Sequence, residues 1–555
     1  MYIKKIVLNN YKCFKGEFTL ELNKNLNILV GDNEVGKSTI LEAIHLSLSG
    51  FIHGKYLRTE IDQSFFNKQV IDSYLETTNN GKSEALPFLK IELFIDFEDD
   101  SMNELFTGDF NSTKSKACGL MFTLKFDSDK YQDVYHELIK ELRSDEQKIN
   151  SIPIEYYEYG WRSFARKEIV PRSIPLKSSL VDSSSAKYRN GSDVYISNII
   201  KESLLPEEEV KIAQAHRKLK DVFAENNDIK LINQKINQGD VSDKLVSLEV
   251  DLSTKTSWET SLITCIDGIP FHHVGKGEQA MVKTKLALKN KKTQTSNILL
   301  IEEPENHLSH SKLNKLINYI KNNNLDKQVI TTSHSSFVSN KLGLKNLVLL
   351  NKENSTEKRF ETRITDLKGD TQKYFEKLAG YDTLRLILSS KVILVEGDSD
   401  ELIVQRAFLD KYGSLPIEND IDVITVRGLA FKRYLYLAQS LGQKVKIVTD
   451  NDGDFQRNIT NKYSEFVGVE GITIYADQDG ELNSLEEQIV EANKPNLQLL
   501  SDVLSKGNKK RIDPTEIALL KYMKGHKTDS AFAIFDSERP IKYPPYILRA
   551  IEHEE

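Results

Sequence analysis

Two acid sets stand where β-strands are expected to end. Lys391–Val395 (KVILV) runs into Glu396-Gly-Asp-Ser-Asp400, and Val445–Thr449 runs into Asp450-Asn-Asp452-Gly-Asp454. A third β-branched run, Ile421–Val426, stops at Arg427-Gly428. Brought to one edge, Glu396, Asp400, Asp450 and Asp452 would repel each other and lose hydration, which only a bound cation makes cheap. Hard oxygen ligands at this density favour Mg²⁺ or Mn²⁺ over Zn²⁺. Such a cluster can hold one or two of these ions for phosphodiester chemistry. Strand-end acids can also cap the following helices and stay solvated, but that reading suits a single Asp better than a Glu-Gly-x-x-Asp joined to an Asp-x-Asp.

The elements that must position these acids follow from the pattern. Helix-like segments separate the three apolar runs, so the order is β-α-β-α-β and a parallel sheet is expected. Right-handed crossovers place all three strand C-termini on one edge, where open α/β sheets carry their sites.

A second kind of chemistry is written near the start of the chain. The strand Leu26–Val30 runs into Gly31-Asp-Asn-Glu-Val-Gly36-Lys37-Ser38-Thr39, and the helix Ile40–Leu48 follows. Glycines let the loop curl so that its N–H groups face a phosphate, and the helix N-terminus adds a favourable field. Asn33, Gly36, Lys37, Ser38 and Thr39 are therefore expected to hold nucleotide, with Lys37 on the outer phosphates and Ser38 on Mg²⁺. Far downstream, the aliphatic strand Ile298–Ile301 ends in Glu302-Glu303. Glu302 would hold Mg²⁺ and Glu303 would polarise the attacking water. The strand Gln328–Thr332 leads to His334, placed like a γ-phosphate sensor, and Gly275-Lys-Gly277 opens a helix at Ala280–Leu288.

These motifs carry resemblances. Glu396-Gly397 with Asp400, the Gly428 turn and Asp450-x-Asp452 resemble the Toprim motif of topoisomerases, primases and certain nucleases. The family's glutamate serves as general acid or base, or as a ligand, and its aspartates hold metal. Residues 1–50 and 271–340 resemble the head of SMC/RecF-type ABC ATPases: Gly275 and Gly277 fall in its signature loop, and Lys12 in its opening motif lies near nucleotide. An ABC head followed by Toprim is similar to the OLD-family nucleases, which include the Gabija nuclease subunit. That resemblance implies further site residues: Glu486 and Glu487 in a late Leu-Glu motif, and a catalytic lysine at Lys527, with Lys524 the alternative. Glu401 and Asp454 are extra acids that could act as ligands.

The resemblance implies ATP and Mg²⁺ or Mn²⁺ as cofactors and DNA as partner. It implies a metal-dependent DNA endonuclease or nickase controlled by the ATPase head, in defence against phage or in DNA repair. Because a signature loop completes a site only across an interface, a homodimer or larger even assembly is expected. It leaves room for a helicase-type partner. The rival expectations are an ATP-dependent DNA clamp of RecF/SMC type and a sensor subunit that recruits a separate effector.

The bulk properties are compatible with these expectations. At 555 residues the chain exceeds one core. Its 39% hydrophobic content reads as soluble and globular. No apolar run reaches the length of a membrane span, and the first residues lack a signal-peptide core. Cys13, Cys118 and Cys265 are scattered, which fits a reducing cytoplasm. The net charge of −7 neither announces nor excludes a nucleic-acid binder, since phosphate contact depends on local patches. The fold expected is α/β: an ABC-type P-loop head over 1–377 with a helical insertion at about 103–270, then a Toprim domain over 378–555. Residues 1–30 read as a hairpin extended by a third strand, 90–98 and 119–126 as strands, 174–193 as a polar loop, and Phe375–Ser390 as one linking helix.

Overall fold

The computed structural model describes the chain apart from residues 53, 83, 98–103, 145–147, 183–187, 190–191, 194–203, 238–245, 249–262, 324–325, 336–337, 339–340, 354–357, 365–366, 368–369, 378–381, 390, 427–429, 507–510 and 553–555. It divides into two compact units, Met1–His334 with Leu350–Phe360, and Ser335–Leu349 with Glu361–Glu555. The expected boundary at 377/378 differs from this: residues 361–377 pack with the second unit.

The first unit opens on β1 (Tyr2–Asn9) and β2 (Glu17–Glu21), an antiparallel pair. The chain then leaves that sheet. β3 (Leu26–Val30) lies in a second sheet, so the third strand does not extend the hairpin as expected. From its tip the phosphate loop leads into α1 (Lys37–Ser49), which Gly50 ends in left-handed conformation, φ 72°, its N–H donating to Leu46 O. β4 (Leu89–Asp96), β5 (Ala117–Phe126) and β6 (Tyr157–Ser163) return to the first sheet, each antiparallel to its neighbour in the order β6-β5-β4-β1-β2. Strands thus occupy part of the stretch expected to be a helical insertion. Its helical part is α2 (Pro206–Glu225) and α3 (Asn227–Asn237), after an earlier helix at Ser128–Ser144.

β7 (Ser178–Asp182) corrects the polar-loop expectation for 174–193. It pairs in parallel with the later strand β8 (Ile298–Glu302), Val181 beside Ile301, and Val181 is fully buried. After α4 (Lys276–Lys289), β8 pairs with β9 (Gln328–Thr332), and β9 pairs with β3, all in parallel. Consecutive apolar residues in these strands are buried on both faces, as parallel strands between helices require. The shared direction sets Gly31, Glu302 and Ser333 on one edge.

The second unit has the expected parallel sheet. β10 (Lys391–Val395) lies between β11 (Ile421–Thr425) and β12 (Lys444–Val448), and β13 (Ile472–Tyr475) flanks β12. All pairings are parallel. α5 (Asp398–Tyr412) follows β10, and its Ile403, Val404 and Phe408 pack with Ile393, Val395, Leu485, Ile489 and Tyr546 in one core. Of the linking helix expected over 375–390, the described residues form helix at Thr371–Lys377 and at Asp382–Leu388, and 378–381 lie outside those described. Arg385 of the second grips Asp422 of β11 through Nε at 3.1 Å and Nη2 at 2.5 Å. The Arg427-Gly428 turn lies outside the described residues. Among those described, no helix is long and apolar enough to cross a membrane.

The edge-strand assignment of β7 is testable. Val181→Asp places a charge in the core and is expected to cost about 3–5 kcal/mol in urea unfolding. An unchanged midpoint would restore the loop reading.

Candidate functional site

The carboxylates of the second unit gather through the tips of β10 and β12. Glu396 follows the last residue of β10, and its Oε1 accepts the Thr449 hydroxyl and the Asp450 N–H, the latter at 3.3 Å. Asp400 sits in the first turn of α5 and accepts the Gly397 N–H at 3.2 Å. Asp450 Oδ2 accepts Leu485 N–H at 3.3 Å from the start of α6 (Leu485–Ala492). Glu486, next on that helix, is only 4% exposed.

The electrostatics record the convergence. Lost hydration, then Glu396, lifts the Asp400 carboxyl to about 7. Lost hydration, then Asp400 and Glu396, lifts Asp450 to about 8, and Glu486 adds to both. Both groups bind a proton more tightly folded than unfolded. Without a cation they therefore oppose folding increasingly as pH climbs from the ordinary carboxylate range through about 7 to 8.

Two of these oxygens, Asp450 Oδ1 and Glu486 Oε2, are buried and accept no hydrogen bond. Buried acceptors with nothing to accept from are costly. Hard oxygens in this state suit a hard divalent cation. Among the described residues, no three His, Cys, Asp or Glu side chains already form a metal-holding set. Glu396 is instead spent on β12 and Asp400 on Gly397. The residues fit the ion, with those two carboxylates needing to turn toward it.

The remaining sequence-singled residues separate cleanly. Asp452 is exposed and held in left-handed backbone, φ 49°. Lys527, at the start of α8 (Lys527–Phe535), sits 3.3 Å from Glu486 Oε1. Lys524, on the preceding α7 (Glu516–Gly525), instead pairs with Glu487, which also caps α6 by accepting Asn483 and Ser484 N–H. Glu401 is spent on Thr425 at 2.8 Å and Gln405 at 3.1 Å, and Asp454 accepts Arg457 N–H at 2.9 Å, so neither extra acid joins the group. Sequence reading missed Thr449 and Asn451. Fully buried, Asn451 donates to the carbonyls of Asp477, Asp479 and Leu482 and so pins the acid loop to its neighbour.

In the first unit the phosphate loop is built on two glycines. A Cβ on Gly36, φ 106°, would stand 2.6 Å from Phe14 Cζ, and one on Gly31 would stand 2.4 Å from the Leu350 carbonyl. Lys37 Nζ donates to Gly31 O at 2.9 Å and Asp32 O at 2.7 Å, and burial pulls its pKa down. Asn33 is exposed on the loop, Ser38 is exposed in the first turn of α1, and Thr39 beside it is half-buried. Glu302 ends β8, and Glu303 reaches His334, Oε1 to Nε2 3.3 Å. The loss of hydration, then Lys37, lowers the His334 pKa, which favours the neutral ring. Lys12 is held by Glu42 of α1 at 2.5 Å. Gly275 caps α4, and a Cβ on Gly277 would stand 2.5 Å from His307 O.

Two side chains here escaped sequence reading. Glu305 Oε1 accepts the Ser333 hydroxyl at 2.8 Å and the His334 N–H at 2.6 Å, which positions the histidine. Arg359 spans three carbonyls: Val35 at 3.0 Å, Glu34 at 3.1 Å and Cys13. A lone arginine in a polar stretch gives no signal, because its partners are backbone atoms.

A phosphate loop with its acidic strand in one unit, and a strand-tip carboxylate group in the other, define an ATPase joined to a Toprim domain. Residues 1–338 match the family model described as an AAA ATPase domain. Residues 387–452 match that of the Overcoming lysogenization defect protein-like TOPRIM domain. The chain belongs to the AAA ATPase domain family, and the two parts together give it the ATPase–Toprim architecture of the OLD family.

Curated relatives are similar over short stretches. The chain is 44% identical over 61 residues to the DNA replication and repair protein RecF of Acetivibrio thermocellus, covering 11% of this chain and 16% of that one. For RecF of Clostridium tetani the figures are 36% over 76 residues, 14% and 19%. For the structural maintenance of chromosomes protein 6 of Saccharomyces cerevisiae they are 39% over 74 residues, 13% and 7%. The matches thus span less than a fifth of these relatives. The solved SMC head domain from Thermotoga maritima aligns with 66% of this chain and 100% of its own at 12% identity, with a TM-score of 0.30.

Arg359→Ala removes the clamp on the phosphate loop without touching a phosphate-facing group. ATP binding, followed by calorimetry, is expected to weaken about tenfold, roughly 1.4 kcal/mol of lost preorganisation. Affinity equal to the parent would show that the loop holds its shape unaided.

Proposed function

We propose that this chain is a divalent-metal-dependent DNA nuclease whose cutting is controlled by nucleotide at its ATPase head. The observation that carries the reading is the buried carboxylate group with two unpartnered oxygens, Asp450 Oδ1 and Glu486 Oε2, beside a lysine. Glu396, Asp400, Asp450, Asp452 and Glu486 would hold Mg²⁺ or Mn²⁺. Such an ion polarises a phosphoryl oxygen and lowers the pKa of bound water. Lys527, paired with Glu486 but 58% exposed at its side chain, would reach a phosphate and steady the charge that builds there. Glu396, hydrogen-bonded at the tip of β12, is placed to accept or return a proton.

At the head, Lys37 and the loop N–H groups would bind phosphates, with Ser38, Thr39 and Asn33 around them. Glu302 would hold the nucleotide's metal, Glu303 would orient water, and His334 would contact the terminal phosphate. Lys12, Gly275 and Gly277 complete the set in this reading, the glycines acting from the opposite head of a dimer. A cytoplasmic role in phage defence rests on the OLD-family architecture. The named relatives act in replication and repair, which favours DNA as the polymer and keeps one second reading, an ATP-dependent DNA clamp.

Two measurements test this. Replacing both Asp450 and Asp452 by Ala should abolish nicking and linearisation of supercoiled plasmid in Mg²⁺ or Mn²⁺ while ATP binding stays at the parent level. Cutting that persists sinks the site, and a parent protein that never cuts favours the clamp. For the assembly, α2 exposes Val210, Leu219 and Val222, and α3 exposes Leu231 and Ile232, apolar surface suited to a second copy. Leu219→Asp with Val222→Asp should shift the chain toward monomer in analytical ultracentrifugation. An unchanged sedimentation profile would place the dimer contact elsewhere.

A further inference from the structure

Glu303 leaves the tip of β8 in left-handed backbone, φ 37°, which costs a non-glycine residue energy. Its N–H donates to Thr332 Oγ1 of β9 at 3.1 Å, and its carbonyl accepts Asn306 N–H at 3.1 Å. The second bond closes a four-residue turn, Glu303-Pro304-Glu305-Asn306. Both oxygens of the Glu303 carboxylate have partners: Oε1 lies 3.3 Å from His334 Nε2, and Oε2 accepts Asn306 Nδ2 at 2.8 Å. The two partners are held differently. The main chain of His334 is fixed by its N–H on Glu305 Oε1 at 2.6 Å, which leaves the ring to turn, whereas Asn306 belongs to the same closed turn as Glu303.

An asparagine in a turn commonly uses its side-chain oxygen to accept a nearby backbone N–H. Here main-chain atoms close the turn, and the side-chain amide donates to a carboxylate three residues back. Turn formation therefore accounts for the backbone of Asn306 and leaves its side-chain bond unexplained.

We propose that Asn306 is a positioning residue for ATP hydrolysis, holding Glu303 by Oε2 while Oε1 passes from His334 to the attacking water. The inference rests on the reading given above, in which Glu303 orients water and His334 contacts the terminal phosphate. Once the His334 ring turns to phosphate, Glu303 loses one of its two holds, and a half-buried carboxylate on strained backbone has other rotamers open to it. Asn306 keeps it in one. An amide does this without a net charge, so the carboxylate keeps more of its basicity than it would beside a lysine or an arginine.

Asn306→Ala removes the hold and leaves the phosphate-binding groups in place. In the full chain with ATP and Mg²⁺, kcat for phosphate release should fall about ten- to a hundredfold, with KM and calorimetric ATP affinity within about twofold of the parent. Asn306→Asp keeps the shape and replaces the donor by an acceptor, so its turnover should fall at least as far. Parent-like kcat in either variant would overturn the proposal. So would ATP affinity that falls in step with kcat, which would make Asn306 a structural part of the nucleotide pocket. Glu303→Gln run alongside separates the two readings: turnover at the parent level there, or a parent chain that binds ATP and never hydrolyses it, would show that Glu303 does not orient the water. If Glu303→Gln stops turnover while Asn306→Ala keeps it, only the role of Asn306 falls.

Discussion

Like charges brought together out of water are the constraint around which the second unit is built. Nothing in a parallel sheet requires acids at its strand tips, and burial makes each one harder to ionise. The protein meets that cost with geometry rather than with neighbouring cations alone. The Thr449 hydroxyl and the Asp450 N–H hold Glu396, and the first N–H of α6 holds Asp450. The start of a helix favours an acid, so α6 lowers part of the cost it also creates by bringing Glu486. The remainder is stored in two oxygens that nothing satisfies. Stored instability of this kind is what differential binding of a cation can draw upon.

The first unit solves the opposite problem with the same edge of a parallel sheet. There the bound group is anionic, and the donors are main-chain N–H groups that must all face one way. Of the loop's own side chains Val35 packs inward, and the rest of its shape comes from elsewhere. Gly31 and Gly36 provide the curvature, and Lys37 holds the loop's own carbonyls. Arg359 fixes the outer side through backbone oxygens of Val35, Glu34 and Cys13. Its fork of donors suits several carbonyls at once, a task for which a lysine is poorly shaped.

What could be read from the sequence follows from how local each signal is. The strands β3, β8, β10 and β12 announce themselves because runs of aliphatic residues end abruptly in acids or glycine. Glu396, Asp400, Asp450 and Lys37 were legible for that reason. β7 was not, since Ser178 and Ser179 make it look like a loop and only Leu180 and Val181 carry the apolar signal. The segment taken as a helical insertion hid strands whose partners lie outside it, such as β5 against β4. Asn451 reads as an ordinary turn residue within Asp-Asn-Asp-Gly, yet its amide is satisfied by three carbonyls some thirty residues away. Long-range partners of a polar side chain leave no periodicity behind.

The two lysines near the acids show how structure separates roles that spacing leaves open. Glu486 and Glu487 are adjacent on α6 and so point in different directions, one inward and one toward solvent. Lys524 pairs with the other acid, which is half-buried and also caps its helix. Lys527 pairs with the buried acid at 3.3 Å. There its charge matters more, because Glu486 without a counter-charge would be a buried carboxylate with no neutralising partner. A divalent ion at Glu486 would take over that duty. Under the nuclease reading, an ion held at Glu486 would loosen the hold on Lys527 and leave its ammonium available to phosphate. One lysine thus belongs to the scaffold, while the other is tied to the acid that a cation would claim.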